Sequence, residues 1–212
     1  VKIIKKIQFG GESMKRKVLL VLVALLCLTT ILSVSGNTAN AESIDLKGNY
    51  LYDRQGRAHK IPITKKGNHT KAAKRVAKLI ARCVGKKAGD TDLTRVDTAA
   101  YYVSLFAARD TYSMKAPYYN KAYGVFIGGS CSCAGTADAM QMVLKQMGFK
   151  ARHVNKNKYT HQWCTLKMDG KKGYADGQAG FANYGSYFSK KNKYVMIPST
   201  SVAFKKMNGE LE

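Results

Sequence analysis

The strongest constraint on how this chain folds is a change of hydrophobic period at Gly148. Before it, the run that begins at Cys133 places Ala134, Ala137, Met140, Leu144 and Met147 at helical spacing. After it, apolar residues recur every second position. Ala151 to Val154 reads as one strand, and the segment from His161 puts His161, Trp163 and Thr165 on one face with Gln162, Cys164 and Leu166 on the other. Asp169-Gly170, followed by Lys171-Lys172, has the composition of a tight hairpin turn, and Gly173 to Ala175 begins the returning strand. A helix followed by an antiparallel hairpin predicts an α+β fold, with the helix packed on an antiparallel sheet.

That pattern brings three reactive residue types toward one place. A hairpin centred on Asp169-Gly170 sets His161 roughly opposite residue 178, so Asp176 lies within a cross-strand diagonal of His161. Cys133 heads the helix after the Gly128-Gly129-Ser130 loop, where the positive end of the helix dipole favours a thiolate. Gly135 and Ala137 leave room for close packing beside it. A lone cysteine is usually a small buried hydrophobe, and a lone strand histidine a surface or core residue. A thiol, an imidazole and a carboxylate converging in the order Cys133, His161, Asp176 point instead to nucleophilic acyl transfer. His153 is the rival histidine, but no acidic residue is placed opposite it.

Upstream, Tyr50, Tyr52, Ile61 and Ile63 alternate around Asp53-Arg54-Gln55-Gly56 and predict a hairpin, an extension over residues 42–66 ahead of a domain spanning 67–212. Residues 70–84 form an amphipathic helix with a basic outer face that ends at Gly85, and residues 91–109 a second helix with Leu93, Val96, Tyr102, Val103 and Phe106 on one stripe. The tyrosines Tyr101, Tyr102, Tyr112, Tyr118 and Tyr119 read as core and rim packing.

The N-terminal region reads as an export signal. Met14 to Ala41 has a basic start (Lys15, Arg16, Lys17), a 17-residue apolar run from Val18 to Val34 and an Ala39-Asn40-Ala41 cleavage pattern. Leu26 before Cys27 argues against a lipoprotein site, and only the uncleaved signal would touch a membrane. Residues 1–13 do not suit the start of a signal. Translation is expected to begin at Met14, with Gly10-Gly11-Glu12 read from a purine-rich ribosome-binding site. The whole chain carries a formal charge of +23; without residues 1–41, 30 basic and 12 acidic residues remain, a charge of +18. A secreted or wall-associated protein of that charge suits anionic wall polymers better than nucleic acid, for which no aromatic-basic motif is present. A solvated, lysine-rich surface is the plainer reading. Four cysteines lie after the signal, an even count that allows disulfides, and Cys131 could pair with Cys83 or Cys164, or with Cys133 as a redox lock. Cys131 and Cys133 are one residue apart rather than two, which argues against zinc, and no metal or cofactor is expected.

The segments G-S-C-S-C-A-G-T-A-D-A, L-K-Q-M-G-F-K-A-R-H-V, H-Q-W-C-T-L and Y-A-D-G resemble the transglutaminase-like superfamily of papain-related folds, over about residues 128–177. The resemblance implies a papain/transglutaminase-like core with Cys133 as nucleophile, His161 as base and Asp176 as the carboxylate that orients it. Two positions depart from the family pattern: Thr136 stands where an aromatic is common, and Gly177 where proline is common. The function implied is a secreted cysteine enzyme acting on amide bonds of peptides, proteins or peptidoglycan peptides through a thioester, by hydrolysis. The oxyanion is expected to meet the Cys133 backbone N–H, with Trp163 or Tyr123 as further donors or pocket walls. A basic wall-binding or assembly module on the same fold, without catalysis, is the alternative. If translation starts at Met14, N-terminal sequencing of the precursor begins there; peptides covering Ile3 to Phe9 would refute that start.

Overall fold

The computed structural model describes residues 43–45, 49–156 and 160–187, all within one compact unit spanning Asn40–Glu212. The expected leader over 1–13, the signal peptide over 14–41 and the end of the chain from 188 lie outside the described residues. The class is α+β. Strands β1 (Ile44–Asp45), β2 (Tyr50–Tyr52) and β3 (Ala58–Lys60) form a three-stranded antiparallel sheet. Helices α1 (His69–Val84) and α2 (Asp92–Arg109) follow. A short parallel pair, β4 (Thr111–Tyr112) with β5 (Ser130–Cys131), leads into α3 (Cys133–Gln146). The chain ends its described part in a four-stranded antiparallel sheet, β6 (Arg152–His153), β7 (Cys164–Met168), β8 (Lys171–Asp176) and β9 (Phe181–Tyr184), in sequence order.

Local chemistry sets these boundaries. The Asn68 side chain accepts from Lys71 N to start α1, and Gly85 ends it at positive φ. Thr91 caps α2 in the same way through Thr94 N. The early hairpin forms as expected around residues 53–57, because the buried Asp53 carboxylate accepts from Gln55 N, Arg57 N and Arg57 Nε. Its inward residue is Leu51, fully buried, whereas Tyr50 is 36% exposed. The hairpin is no loose extension: Leu51 and Ile61 belong to the main core, and Tyr102 on α2 donates its hydroxyl to Tyr52 O at 2.9 Å.

The core is built from the inner faces of the three helices and the β6–β9 sheet. Val76, Ile80, Tyr102, Phe106, Met140, Leu144 and Met168 are all fully buried. At a generic 25 cal/mol per Å2, each such side chain contributes roughly 1.5–3 kcal/mol on burial. Two points of close approach lock α3 in place. A Cβ at Gly135 would stand 2.3 Å from Tyr119 O, and one at Gly177 would stand 2.6 Å from Val103 Cγ1 and 3.1 Å from Thr136 O. Gly177 therefore lets the end of β8 approach α2 and α3, at one of the two positions that depart from the family pattern.

The β7–β8 register runs from Cys164 opposite Ala175 to Met168 opposite Lys171. Extended by three residues, it sets His161 against residue 178, the offset expected from the turn. The ladder itself starts later than expected, at Cys164 rather than His161. Beyond Asp176 the chain turns toward β9, with Gly180 N donating to Asp176 O, so His161 has no strand to pair with. The alternation still holds: Gln162, Cys164, Leu166 and Met168 are buried.

The turn does more than reverse the chain. Asp169 adopts positive φ, and its carboxylate accepts from Asp92 N (2.8 Å), Leu93 N (3.0 Å) and Tyr184 Oη (2.8 Å), while Asp169 N donates to Asp92 Oδ2 (3.0 Å). A hairpin turn thus caps a helix 77 residues distant in sequence. Asp169→Ala removes this cap and places alanine at positive φ, so we expect urea denaturation to register a loss of about 1–2 kcal/mol. Asp169→Asn keeps an acceptor and tolerates the conformation, and should lose well under half as much.

Candidate active site

Cys133 occupies the first helical position of α3, after Ser132 in extended conformation. β5 aims the chain at this point, and Ser132 N and Oγ both donate to Tyr119 O, at 3.0 and 3.3 Å. Ser132 therefore makes no side-chain cap on its own helix. Thr136, the other position that departs from the family pattern, is fully buried and directs its hydroxyl at the carbonyls of Ser132 and Cys133.

His161 lies on the other wall. Its Nε2 is 2.6 Å from Asp176 Oδ2, and its carbonyl accepts from Asn155 Nδ2 at 3.0 Å. With Nε2 committed to the carboxylate, Nδ1 is the ring nitrogen left to act on the Cys133 thiol, whose Sγ contacts Thr160 O at 4.0 Å. Asp176 is 1% exposed at the end of β8. Besides His161 it accepts from Tyr187 Oη (2.5 Å), Gln178 N (2.8 Å) and Ala179 N (3.1 Å). The ring of Tyr187 stacks on Trp163, with centroids 4.8 Å apart, and lies beside His161 at 5.6 Å.

The charges follow from these contacts. Burial opposes ionisation of Asp176, but the His161 hydrogen bond and charge, aided by Tyr187 and backbone N–H groups, hold it below the usual carboxylate range. The Asp176 hydrogen bond raises His161 to about 9, with the Cys133 sulfur adding to the effect. The His161 hydrogen bond lowers Cys133, against its desolvation, with help from the Gln162 backbone N–H and the Tyr112 hydroxyl. The other three thiols move the opposite way. Burial raises Cys83 to about 12, raises Cys131 to about 11 with Asp110 nearby, and raises Cys164 as well. Among the described cysteines, Cys133 alone is shifted toward thiolate.

The disulfides weighed from sequence are not formed. Cys83, Cys131, Cys133 and Cys164 are all free thiols. Cys131 Sγ points to Ala107 O and Cys164 Sγ to Ala137 O, each thiol turned to a different helix carbonyl. Two other expectations also change. Tyr123 is buried, stacks on His69 at 4.1 Å and sends its hydroxyl toward Lys65 O, so it does not line the active-site cavity. Trp163 packs against Tyr187 behind His161 and is also absent from the cavity wall.

The cavity beside Cys133 measures about 450 Å3. Tyr112, which had read as rim packing, lies in its wall together with Tyr119, Asp138, His153, Lys156 and Gln162. Parallel pairing places Tyr112 opposite Cys131, two residues before Cys133. No hydrophobic period marks Tyr112 for this role; a parallel pair of two-residue strands leaves almost no trace in sequence. Tyr187 was missed for a similar reason, since it follows β9 in a segment without pattern. His153 Nε2 bonds Gln162 Oε1 at 2.7 Å, and burial holds His153 below its ordinary value, so it is a neutral wall residue. No family model matches this chain, and no curated protein matches its sequence.

The site predicts unequal thiol reactivity. Iodoacetamide should alkylate Cys133 at lower pH than Cys83, Cys131 and Cys164, which burial keeps protonated. His161→Ala should push Cys133 labelling up toward ordinary thiol pH. Labelling of all four thiols at one slow rate would remove the basis for a reactive site.

Proposed function

We propose that this chain is a cysteine hydrolase of transglutaminase-like type, cleaving amide bonds in peptides or proteins through a thioester. The observation that carries this reading is a thiol at a helix N-terminus in a cavity wall, lowered toward thiolate by an imidazole that a buried carboxylate holds. The resemblance from C-A-G-T-A through H-x-W to the aspartate supports it, because each matched position falls on one of the three groups.

The chemistry follows from the contacts. The Cys133 thiolate attacks the substrate carbonyl carbon and a C–S bond forms. The oxyanion meets the backbone N–H of Cys133 at the helix start, with the Tyr112 hydroxyl as second donor in place of Tyr123 or Trp163. The His161 imidazolium gives its Nδ1 proton to the leaving nitrogen, and the C–N bond breaks. Neutral His161 then takes a proton from water, which attacks the thioester. The acid product leaves and the thiolate–imidazolium pair is restored. Asp176 keeps Nε2 protonated and stabilises the charged ring throughout. A primary amine that outcompetes water would turn the same intermediate toward transamidation.

The pH dependence has a defined sign. The reactive pair needs Cys133 deprotonated and His161 protonated. Activity should rise through the lowered thiol value and fall as His161 loses its proton near pH 9, both limbs belonging to the coupled pair. The test is incubation with peptidoglycan peptides and casein, with and without an amine acceptor, followed by mass spectrometry. Cys133→Ala should abolish turnover, and Asp176→Asn should lower kcat on the order of 10³-fold or more. Tyr112→Phe should cost about 10²-fold in kcat with little change in KM. Absence of turnover on every acyl donor, with wild-type thiol reactivity intact, would shift the reading to a non-catalytic binding module.

A further inference from the structure

The outer face of α1 has a composition that solubility does not call for. Its exposed residues after Thr70 are Lys71, Lys74, Arg75, Lys78 and Arg82. No acidic residue occurs anywhere in the helix. A solvated helix face ordinarily interleaves both signs at i,i+3 and i,i+4, because like charges at those spacings destabilise it. Here Lys71–Lys74, Lys71–Arg75, Lys74–Lys78, Arg75–Lys78 and Lys78–Arg82 are all like-charge neighbours. Among the described residues, no ion pair or side-chain hydrogen bond offsets any of the five cations. The row runs about 16 Å from Lys71 to Arg82.

The row ends in a groove. An open cavity of about 390 Å3 is lined by Lys78, Arg82, Arg95 and Gln146 with Ala81, Gly85 and Met147, and no carboxylate lies in its wall among the described residues. Arg95 is held in position: its Nε donates to Gly85 O at 3.1 Å, and its guanidinium lies 5.7 Å from the centre of the Phe149 ring. Its closest acid, Asp92, is 3.9 Å away on the same helix and takes up only part of its charge. Three cations from two helices thus converge on a recess large enough for a phosphate group, with a cationic track leading into it.

We propose that this face binds a linear phosphate-bearing polymer, one phosphate seated in the groove at Lys78, Arg82 and Arg95 and the chain running along α1 toward Lys71. The face is distinct from the cavity at Cys133 and does not depend on catalysis. Its chemistry favours a soluble polyanion over the other two macromolecular partners of a basic surface. A membrane-binding helix needs large apolar side chains to insert, and the exposed positions of α1 offer none. A single-stranded nucleic-acid surface needs aromatic platforms, and the row contains none.

The test uses the full chain and long-chain inorganic polyphosphate as the probe, with duplex DNA and phosphatidylglycerol vesicles as comparators at matched phosphate concentration. Wild-type protein should bind polyphosphate with an affinity that falls steeply with salt. The triple variant K74Q/K78Q/R82Q should bind at least about tenfold more weakly, and its log–log salt slope should be shallower by about 2. Relieving like-charge repulsion should leave its Tm unchanged or raised. A control with the same charge loss on other exposed lysines, K60Q/K167Q/K172Q, should bind as wild type. Arg95→Gln alone should weaken binding by several-fold and so tests the groove apart from the row. The proposal is overturned if wild type does not bind, if the control weakens as much as the triple variant, or if DNA or vesicles bind as tightly as polyphosphate. Cys133→Ala should bind as wild type, which separates this surface from the fate of the catalytic reading.

Discussion

The buried Asp176 carboxylate is the group on which the site and its supporting fold both depend. A charge that is 1% exposed is costly unless nearly every lone pair is used. Asp176 meets that demand with four donors: His161 Nε2, the Tyr187 hydroxyl and the backbone N–H groups of Gln178 and Ala179. Each donor in turn constrains a segment. The two backbone donors set the turn between β8 and β9. Tyr187 pins the chain after β9 and brings its ring against Trp163. His161 is held although it belongs to no strand.

That one satisfied charge also decides the electrostatics of the thiol. Asp176 raises His161, and His161 lowers Cys133. Cys131 is only two residues away and is raised to about 11, because it is buried, faces a helix carbonyl and lies near Asp110. Spacing along the chain therefore says little about which thiol is reactive. The deciding factors are the helix terminus and the partner across the cavity. Since the whole relay hangs on α3 meeting the end of β8, Gly135 and Gly177, where a Cβ would strike neighbouring atoms, matter to the site as much as its polar groups do.

The two faces of the molecule use charge in opposite ways. At the cavity, opposite charges are paired and partly desolvated, which makes each interaction strong and specific. On α1, five like charges stand in water with no partner among the described residues, so each is weak alone and any strength comes from the array. The helix spends its inner face on the core, with Val76, Leu79 and Ile80 buried, and keeps its outer face free of acid.

Much of this is written locally in the amino-acid sequence. The period change at Gly148 specified a helix and then a hairpin, Asp169-Gly170 specified the turn, and the two-residue side-chain repeat of a strand made the His161–Asp176 offset a matter of counting. Helix starts were legible to within a residue, because apolar period and glycine stops such as Gly85 act locally. What sequence could not supply was everything that depends on approach between distant segments. The roles of Tyr112 and Tyr187, the turn at Asp169 capping α2, the absence of the expected disulfides and the exclusion of Tyr123 and Trp163 from the cavity all depend on which side chains meet across the fold. Local pattern encodes period and termini, since those are properties of a few neighbouring residues. Packing decides which distant groups share a desolvated space, and that sharing is what lowers Cys133 while Cys83, Cys131 and Cys164 are raised.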